Sequence, residues 1–365
     1  MQLGVRNPRA VVRAAALAAA ALACLPGGAA AAPGDPDPGR TTAGTVISNG
    51  SEFPYLLYTP TSYRPRRPMP LVVMVHGCQT TAEQEMKVTR FNKLAEHKGF
   101  VVLYPDVDEI GRNQPGPLSQ CWKFTDPTAY TTRGSGDTAA IADMTRAVMA
   151  KRSINAERVY LIGISAGGLM ASVGAATYAD LYTAVGIMSS AGFADGPCFT
   201  TGVGIPAEAS AQLAYTMMGS YARIVPRFVL GGDADLAFPW TCTNKALEQG
   251  LRTNNLVLGG SQTSPISLEP AAVRERQKPG GYAYTVSRYR DPSGCLIGES
   301  WNIHGMGHFW SGGSRDPSVA GYGDIRGPSA ARASWAFLRR YRLSDTAMPC
   351  AETRRPRGAS SGARP

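Results

Sequence analysis

Val159-Tyr160-Leu161-Ile162-Gly163-Ile164-Ser165-Ala166-Gly167-Gly168-Leu169-Met170 is the stretch that decides how this chain is read. Its first four residues are uniformly apolar, as in a strand covered on both faces. From Ala166 to Ala176 the composition favours helix. Between the two, Gly163 to Gly167 fits G-x-S-x-G, a tight strand-to-helix turn with a serine at its tip. The flanking glycines let neighbouring backbone pass close to that side chain. Ser165 would then lie at a helix N-terminus, where N–H groups stabilise an oxyanion. The pattern is weak alone in a chain with 41 glycines, and the plain alternative is a structural serine in a glycine-rich turn. The strand before it and the helix after it favour a nucleophile, with Ala166 N–H as an oxyanion donor.

Reading outward, Tyr55–Tyr58, Leu71–Val75, Phe100–Tyr104, Arg158–Ile162, Ala184–Met188, Phe228–Leu230 and Ser300–Ile303 read as strands. Thr81 with Gln84 forms a capping box for one helix ending near Lys98-Gly99. Asp137 can cap a second, whose Ile141, Met144 and Val148 share one face. Stretches 191–226 and 257–281 read as irregular or helical insertions near a binding face. The alternation predicts an α/β fold: a mostly parallel central sheet with helices on both faces, in one catalytic domain over residues 44–345.

At the N-terminus, Arg6, Arg9 and Arg13 precede the apolar run Ala14–Leu25, a Pro-Gly-Gly break and four alanines before Pro33. That order predicts a signal peptide over 1–32 and an exported, soluble protein, because the run falls short of the ~20 residues that span a bilayer. Cys24, after Ala21-Leu22-Ala23, offers a lipoprotein alternative without Leu at the preferred position. Residues 33–43 read as a flexible leader and 346–365 as a basic Pro/Arg/Ser tail, disordered after Cys350. The formal charge of +10 is concentrated at the ends: the three leading arginines and four Arg against one Glu from Ala351 onward supply six of the ten. The central chain is therefore ordinary in charge, and neither a nucleic-acid nor a membrane partner is expected. A monomer is expected.

Without Cys24 six cysteines remain: Cys78, Cys121, Cys198, Cys242, Cys295 and Cys350. An even count in an exported chain reads as up to three disulfides, with all pairings open. None lies in a Cys-x-x-Cys pair, so no metal site is expected, and no cofactor is required.

A serine hydroxyl needs an adjacent base. Of the four histidines, His97 lies on a surface helix and His76 ends a buried strand, where it would organise the loop. His304 and His308 fall late, in Trp301-Asn302-Ile303-His304-Gly305-Met306-Gly307-His308-Phe309-Trp310. His308, beyond two loop glycines, is the favoured base, and His304 the alternative. An acid is expected between nucleophile and base, on a loop after a strand. Asp235, in Phe228-Val229-Leu230-Gly231-Gly232-Asp233-Ala234-Asp235, is favoured over the turn residue Asp233. The second oxyanion donor should follow the early buried strand, from the N–H of Cys78 or Gln79. Trp122, Phe238, Trp240 and Trp310 are candidate apolar walls for a substrate, each with core packing as the alternative.

Leu71 to Gln79 (LVVMVHGCQ), Cys121-Trp122, the GISAGG around Ser165 and His304 to Gly313 (HGMGHFWSGG) resemble the polyhydroxybutyrate depolymerase family of esterases, which overlaps with feruloyl and acetylxylan esterases. The likeness covers most of residues 45–343. It implies an α/β-hydrolase fold, a secreted serine esterase, a triad of Ser165, Asp235 and His308, and a Cys78–Cys121 disulfide. One departure is Gly231 where the family commonly has His before the acid-loop glycine. The ester substrate would be a polyester or its oligomers, with a feruloyl or acetylxylan ester as the alternative. Ile164 before the serine speaks against a cutinase-like enzyme. A non-catalytic surface-binding protein on the same fold is the remaining reading.

Overall fold

The computed structural model describes residues 37–344. The expected signal peptide, Cys24, Cys350 and the basic tail lie outside the described residues.

Among the described residues, ten strands build one sheet: β1 (Arg40–Ser48), β2 (Ser51–Thr59), β3 (Met69–Val75), β4 (Val101–Pro105), β5 (Ile154–Ile164), β6 (Ala184–Met188), β7 (Arg227–Gly232), β8 (Ala272–Gln277), β9 (Ala283–Arg290) and β10 (Leu296–Ile303). Their order is β1-β2-β4-β3-β5-β6-β7-β10-β9-β8. Neighbours from β4 across to β10 run parallel. The pairs β1–β2, β2–β4, β10–β9 and β9–β8 are antiparallel.

Side chains of β3 alternate between two cores, because successive residues of a strand face opposite ways. Leu71, Val73 and Val75 join Trp122, Ile141 and Leu169 on one face. Val72 and Met74 join Phe91, Phe228 and Trp335 on the other. Each such buried side chain contributes about 1.5–3 kcal/mol against chain entropy. Because β4, β3, β5, β6, β7 and β10 run parallel, their C-terminal ends lie along one rim, where connecting loops can carry chemistry.

Three local expectations are corrected. The Thr81 capping box starts a helix, Ala82–Thr89, but Arg90 takes a left-handed φ of 59° and a second helix, Phe91–Lys98, follows. No Gly or Pro marks this break; the Thr89 hydroxyl turns back onto the Glu85 carbonyl at 2.8 Å. Asp137 lies inside the helix Gly136–Lys151 instead of capping it, and Ser135 holds the cap position. Its buried carboxylate accepts the Lys123 N–H at 2.7 Å, and burial pushes its pKa up to about 6. Residues 40–43 of the expected leader belong to β1, paired with β2 from Arg40 opposite Thr59.

Candidate active site

The tip of the β5 turn is strained. Ser165 has φ 57° and ψ −126°, a conformation worth about 1–3 kcal/mol of strain in a non-glycine residue. The backbone around it enforces the shape. Ser165 N–H donates to Met188 O at 3.0 Å, and Ser165 O accepts from the N–H of Gly168 at 2.9 Å and of Leu169 at 3.2 Å. The Ser190 hydroxyl adds a bond to the same carbonyl at 2.6 Å. A Cβ on Gly163 would stand 2.1 Å from Gly167 O, and one on Gly167 would stand 2.2 Å from Val75 O. Both glycines are therefore required by close packing of strand, helix and turn.

Adjacent strands β7 and β10 bring the other two side chains together. Asp235 follows β7 and His308 follows β10. His308 Nδ1 lies 2.8 Å from Asp235 Oδ2 and 3.1 Å from Oδ1. Asp235 is 3% exposed, and its Oδ1 also accepts the N–H groups of Ala237 and Phe238, each at 2.9 Å. A carboxylate fixed this way holds the imidazole proton on Nδ1 and leaves Nε2 basic. His308 and Ser165 line one cavity of about 50 Å³, whose wall also includes Gly77, Cys78, Glu85, Trp310 and Tyr322.

The same two loops carry a second pair. His304 Nδ1 lies 2.8 Å from Asp233 Oδ2, and Asp233 Oδ1 accepts Gly305 N–H at 2.6 Å. Partial burial raises the Asp233 carboxyl, but the Gly305 N–H and His304 outweigh it and hold the carboxyl below its ordinary range. His304 Nε2 meets the Thr285 hydroxyl at 2.9 Å, and the pair is partly exposed. It ties the two loops together at the rim, and its residues are not in the wall of the Ser165 cavity.

The loop after β3 passes so close that a Cβ on Gly77 would stand 3.0 Å from Ser165 Cβ. Gln79 is corrected as an oxyanion donor: its N–H is committed to Ser119 O at 2.8 Å. That leaves Cys78 N–H on the loop side. The N–H of Ala166, first residue of the helix Ala166–Thr177, is without an intrahelical acceptor. His76 organises the loop, with Nδ1 2.6 Å from Gly77 O and Nε2 3.2 Å from Asp106.

Disulfides join Cys78 to Cys121 and Cys198 to Cys242, and Cys295 is also disulfide-bonded. The first closes a 43-residue separation, worth about 4 kcal/mol on chain-entropy arithmetic. Cys78→Ser together with Cys121→Ser is expected to lower the melting temperature by several degrees and the turnover with it. A variant matching the parent in both would show that neither the loop nor the fold depends on the bond.

The four aromatic walls separate. Trp310 lines the cavity. Trp122 belongs to the core, 1% exposed, its indole N–H donating to His76 O at 2.9 Å. Phe238, also 1% exposed, backs the His308 ring at a centroid distance of 6.1 Å. Trp240 is half-buried at the start of the helix Trp240–Val257. Neither Phe238 nor Trp240 is in the cavity wall: the first is buried in the core and the second starts a helix.

Sequence reasoning missed Glu85 and Tyr322 as wall residues. A carboxyl on the apolar stripe Ala82, Glu85, Val88 was the available signal for the first. Burial alone pushes Glu85 up from 4.5 to about 8. The unfolded chain releases this proton near pH 4.5 and the folded one near pH 8, so stability is expected to fall as pH rises through that window, by on the order of 4 kcal/mol. Asp137 acts in the same direction at lower pH, so the comparison with Glu85→Gln isolates the effect. The variant's melting temperature should vary less between pH 5 and 8, and an identical profile would remove Glu85 as the cause.

Among the described residues, no group of three or more His, Cys, Asp or Glu is placed to hold a metal ion, and no helix is long and apolar enough to cross a membrane.

Residues 53–208 match the family described as esterase PHB depolymerase. Poly(3-hydroxyalkanoate) depolymerase C of Paucimonas lemoignei is 29% identical over 66% of this chain and 54% of its own length. Feruloyl esterase B of Neurospora crassa is 35% identical over 31% of this chain and 36% of its own. The chain thus spans about a third to a half of the curated relatives it matches. Among solved structures, acetyl xylan esterase from Aspergillus awamori superposes with a TM-score of 0.57 at 21% identity, covering 73% of this chain and 94% of that one. The parallel sheet, the serine-tipped turn after β5 and the structural likeness agree: the chain has the α/β-hydrolase fold, and its residues 53–208 are similar to the esterase PHB depolymerase family.

Proposed function

We propose that this protein is a secreted serine esterase that cleaves carboxylic esters through an acyl-enzyme on Ser165. The observation that carries this reading is the convergence of Ser165 and the Asp235-held His308 on one cavity. His308 Nε2 takes the serine proton as Oγ attacks the ester carbonyl. The N–H groups of Cys78 and Ala166 receive the oxyanion, each worth about 10²–10³ in turnover. His308 then protonates the leaving alcohol, and water repeats the sequence on the acyl-enzyme. Export is supported by the charged, apolar, small-residue order of the first 32 residues and by the disulfides.

Polyhydroxyalkanoates or their oligomers are the proposed substrates, supported by the depolymerase relative that aligns over the larger share of this chain. A feruloyl or acetylated wall polysaccharide is the second reading, favoured by the relative of higher identity over a shorter stretch. Purified protein would be offered short p-nitrophenyl esters, 3-hydroxybutyrate oligomers, acetylated xylan and feruloylated arabinoxylan, with released acids quantified. Hydroxybutyrate release at the highest kcat/KM is the expected result. Release of acetate or ferulate alone would move the assignment to the second reading. No turnover of any ester, with no fluorophosphonate adduct on Ser165, would end the esterase reading.

A further inference from the structure

Two buried polar atoms, on residues that line the Ser165 cavity, have no hydrogen-bond partner among the described residues. One is Oε1 of Glu85, on the helix Ala82–Thr89; the other is the indole N–H of Trp310. Both residues line the cavity, and they are 2% and 1% exposed. Protein interiors seldom leave such atoms unsatisfied, because each then bears its desolvation cost without return. Here the two belong to separate elements whose residues line the same cavity as Ser165, and they leave one donor and one acceptor unmet.

We propose that Glu85 and Trp310 form a polar subsite that takes an aliphatic hydroxyl of the ester substrate, carried close to the carbonyl that Ser165 attacks. The inference rests on the esterase reading above. A hydroxyl suits both atoms at once, since its oxygen accepts from the Trp310 N–H and its hydrogen goes to Glu85 Oε1. A methylene in the same place would leave both unmade, so the subsite discriminates chiefly by penalising the deoxy analogue. Burial keeps the Glu85 carboxyl largely neutral near pH 7. It therefore adds no negative charge beside the developing oxyanion and does not compete with Asp235 for the His308 proton.

Such a hydroxyl has two sources, the acyl half of a hydroxy acid ester or the alcohol half of a polyol ester. Two matched pairs separate them: ethyl 3-hydroxybutyrate against ethyl butyrate, and glycerol monoacetate against propyl acetate. The full-length protein, Glu85→Leu, Glu85→Gln and Trp310→Phe would be compared by kcat/KM, each normalised to active sites counted with a fluorophosphonate. The unaltered enzyme is expected to favour the hydroxylated member of one pair by about 10- to 100-fold, and that pair names the source. The ratio should fall toward one in Glu85→Leu and Trp310→Phe, while Glu85→Gln, which keeps an accepting oxygen, retains part of it. If Glu85→Leu yields no countable sites, Glu85→Gln and Trp310→Phe carry the test.

Ratios near one in the unaltered enzyme, or ratios the substitutions leave unchanged, would overturn the subsite while leaving the esterase reading intact. Absence of both turnover and fluorophosphonate labelling in the unaltered protein would overturn the two together.

Discussion

Ser165→Ala is expected to lower kcat on p-nitrophenyl butyrate by about 10⁴- to 10⁶-fold, because the hydroxyl is the only bond-forming atom in the proposed chemistry. The melting temperature should barely move. Alanine at this position keeps a Cβ at φ 57°, so it inherits the strain of the serine, and the backbone bonds to Met188, Gly168 and Leu169 are untouched. Ser165→Gly sharpens the prediction. It should be equally inactive yet more stable than Ser165→Ala by about 1 kcal/mol, since glycine adopts this backbone shape without penalty. Activity in either variant within tenfold of the parent would remove Ser165 as nucleophile.

Asp235→Asn should cost about 10⁴-fold in kcat, through a proton in the wrong place. The side-chain oxygen at 235 must still accept the N–H groups of Ala237 and Phe238, which turns the new NH₂ group toward His308 Nδ1. The imidazole would then accept at Nδ1 and carry its proton on Nε2, where it cannot take one from serine. Asp233→Asn is the control. Its pair with His304 has matching hydrogen-bond length but is partly exposed and outside the cavity wall, so activity should stay within about threefold and stability within about 1 kcal/mol. Parallel kcat measurements on the two variants check this. The opposite ranking would transfer the acid and base roles to Asp233 and His304.

The contrast between these two aspartates shows where sequence reading has purchase. Gly163 and Gly167 are legible because close packing at the turn leaves no room for a side chain, and Ser165 between them because a strained turn tip gains nothing from serine except its hydroxyl. The parallel strands are legible because burial on both faces makes them continuously apolar. Asp233 and Asp235 look alike in sequence, and the second is favoured there because the first reads as a turn residue and the resemblance points to the second; burial separates them in three dimensions. Gln79 looked as able to donate as Cys78 until its N–H was seen on Ser119. The β8–β9 hairpin was hidden for a related reason. Val273-Arg274-Glu275-Arg276-Gln277 has no apolar alternation because both of its faces are exposed, so the pattern that betrays a strand is missing. The break at Arg90 is not legible, since no Gly or Pro stands where the backbone turns left-handed.

That hairpin has a bearing on how molecules meet at high concentration. A sheet ending in unpaired amides can recruit a neighbour's backbone and grow sideways, and the outermost strand is where this begins. Along β8 the side chains of Arg274, Glu275 and Arg276 stand in solvent. An incoming strand would have to strip water from three charges to gain a handful of amide bonds. Sideways growth of the sheet is thereby disfavoured at this edge, away from the rim at the parallel strands' C-terminal ends.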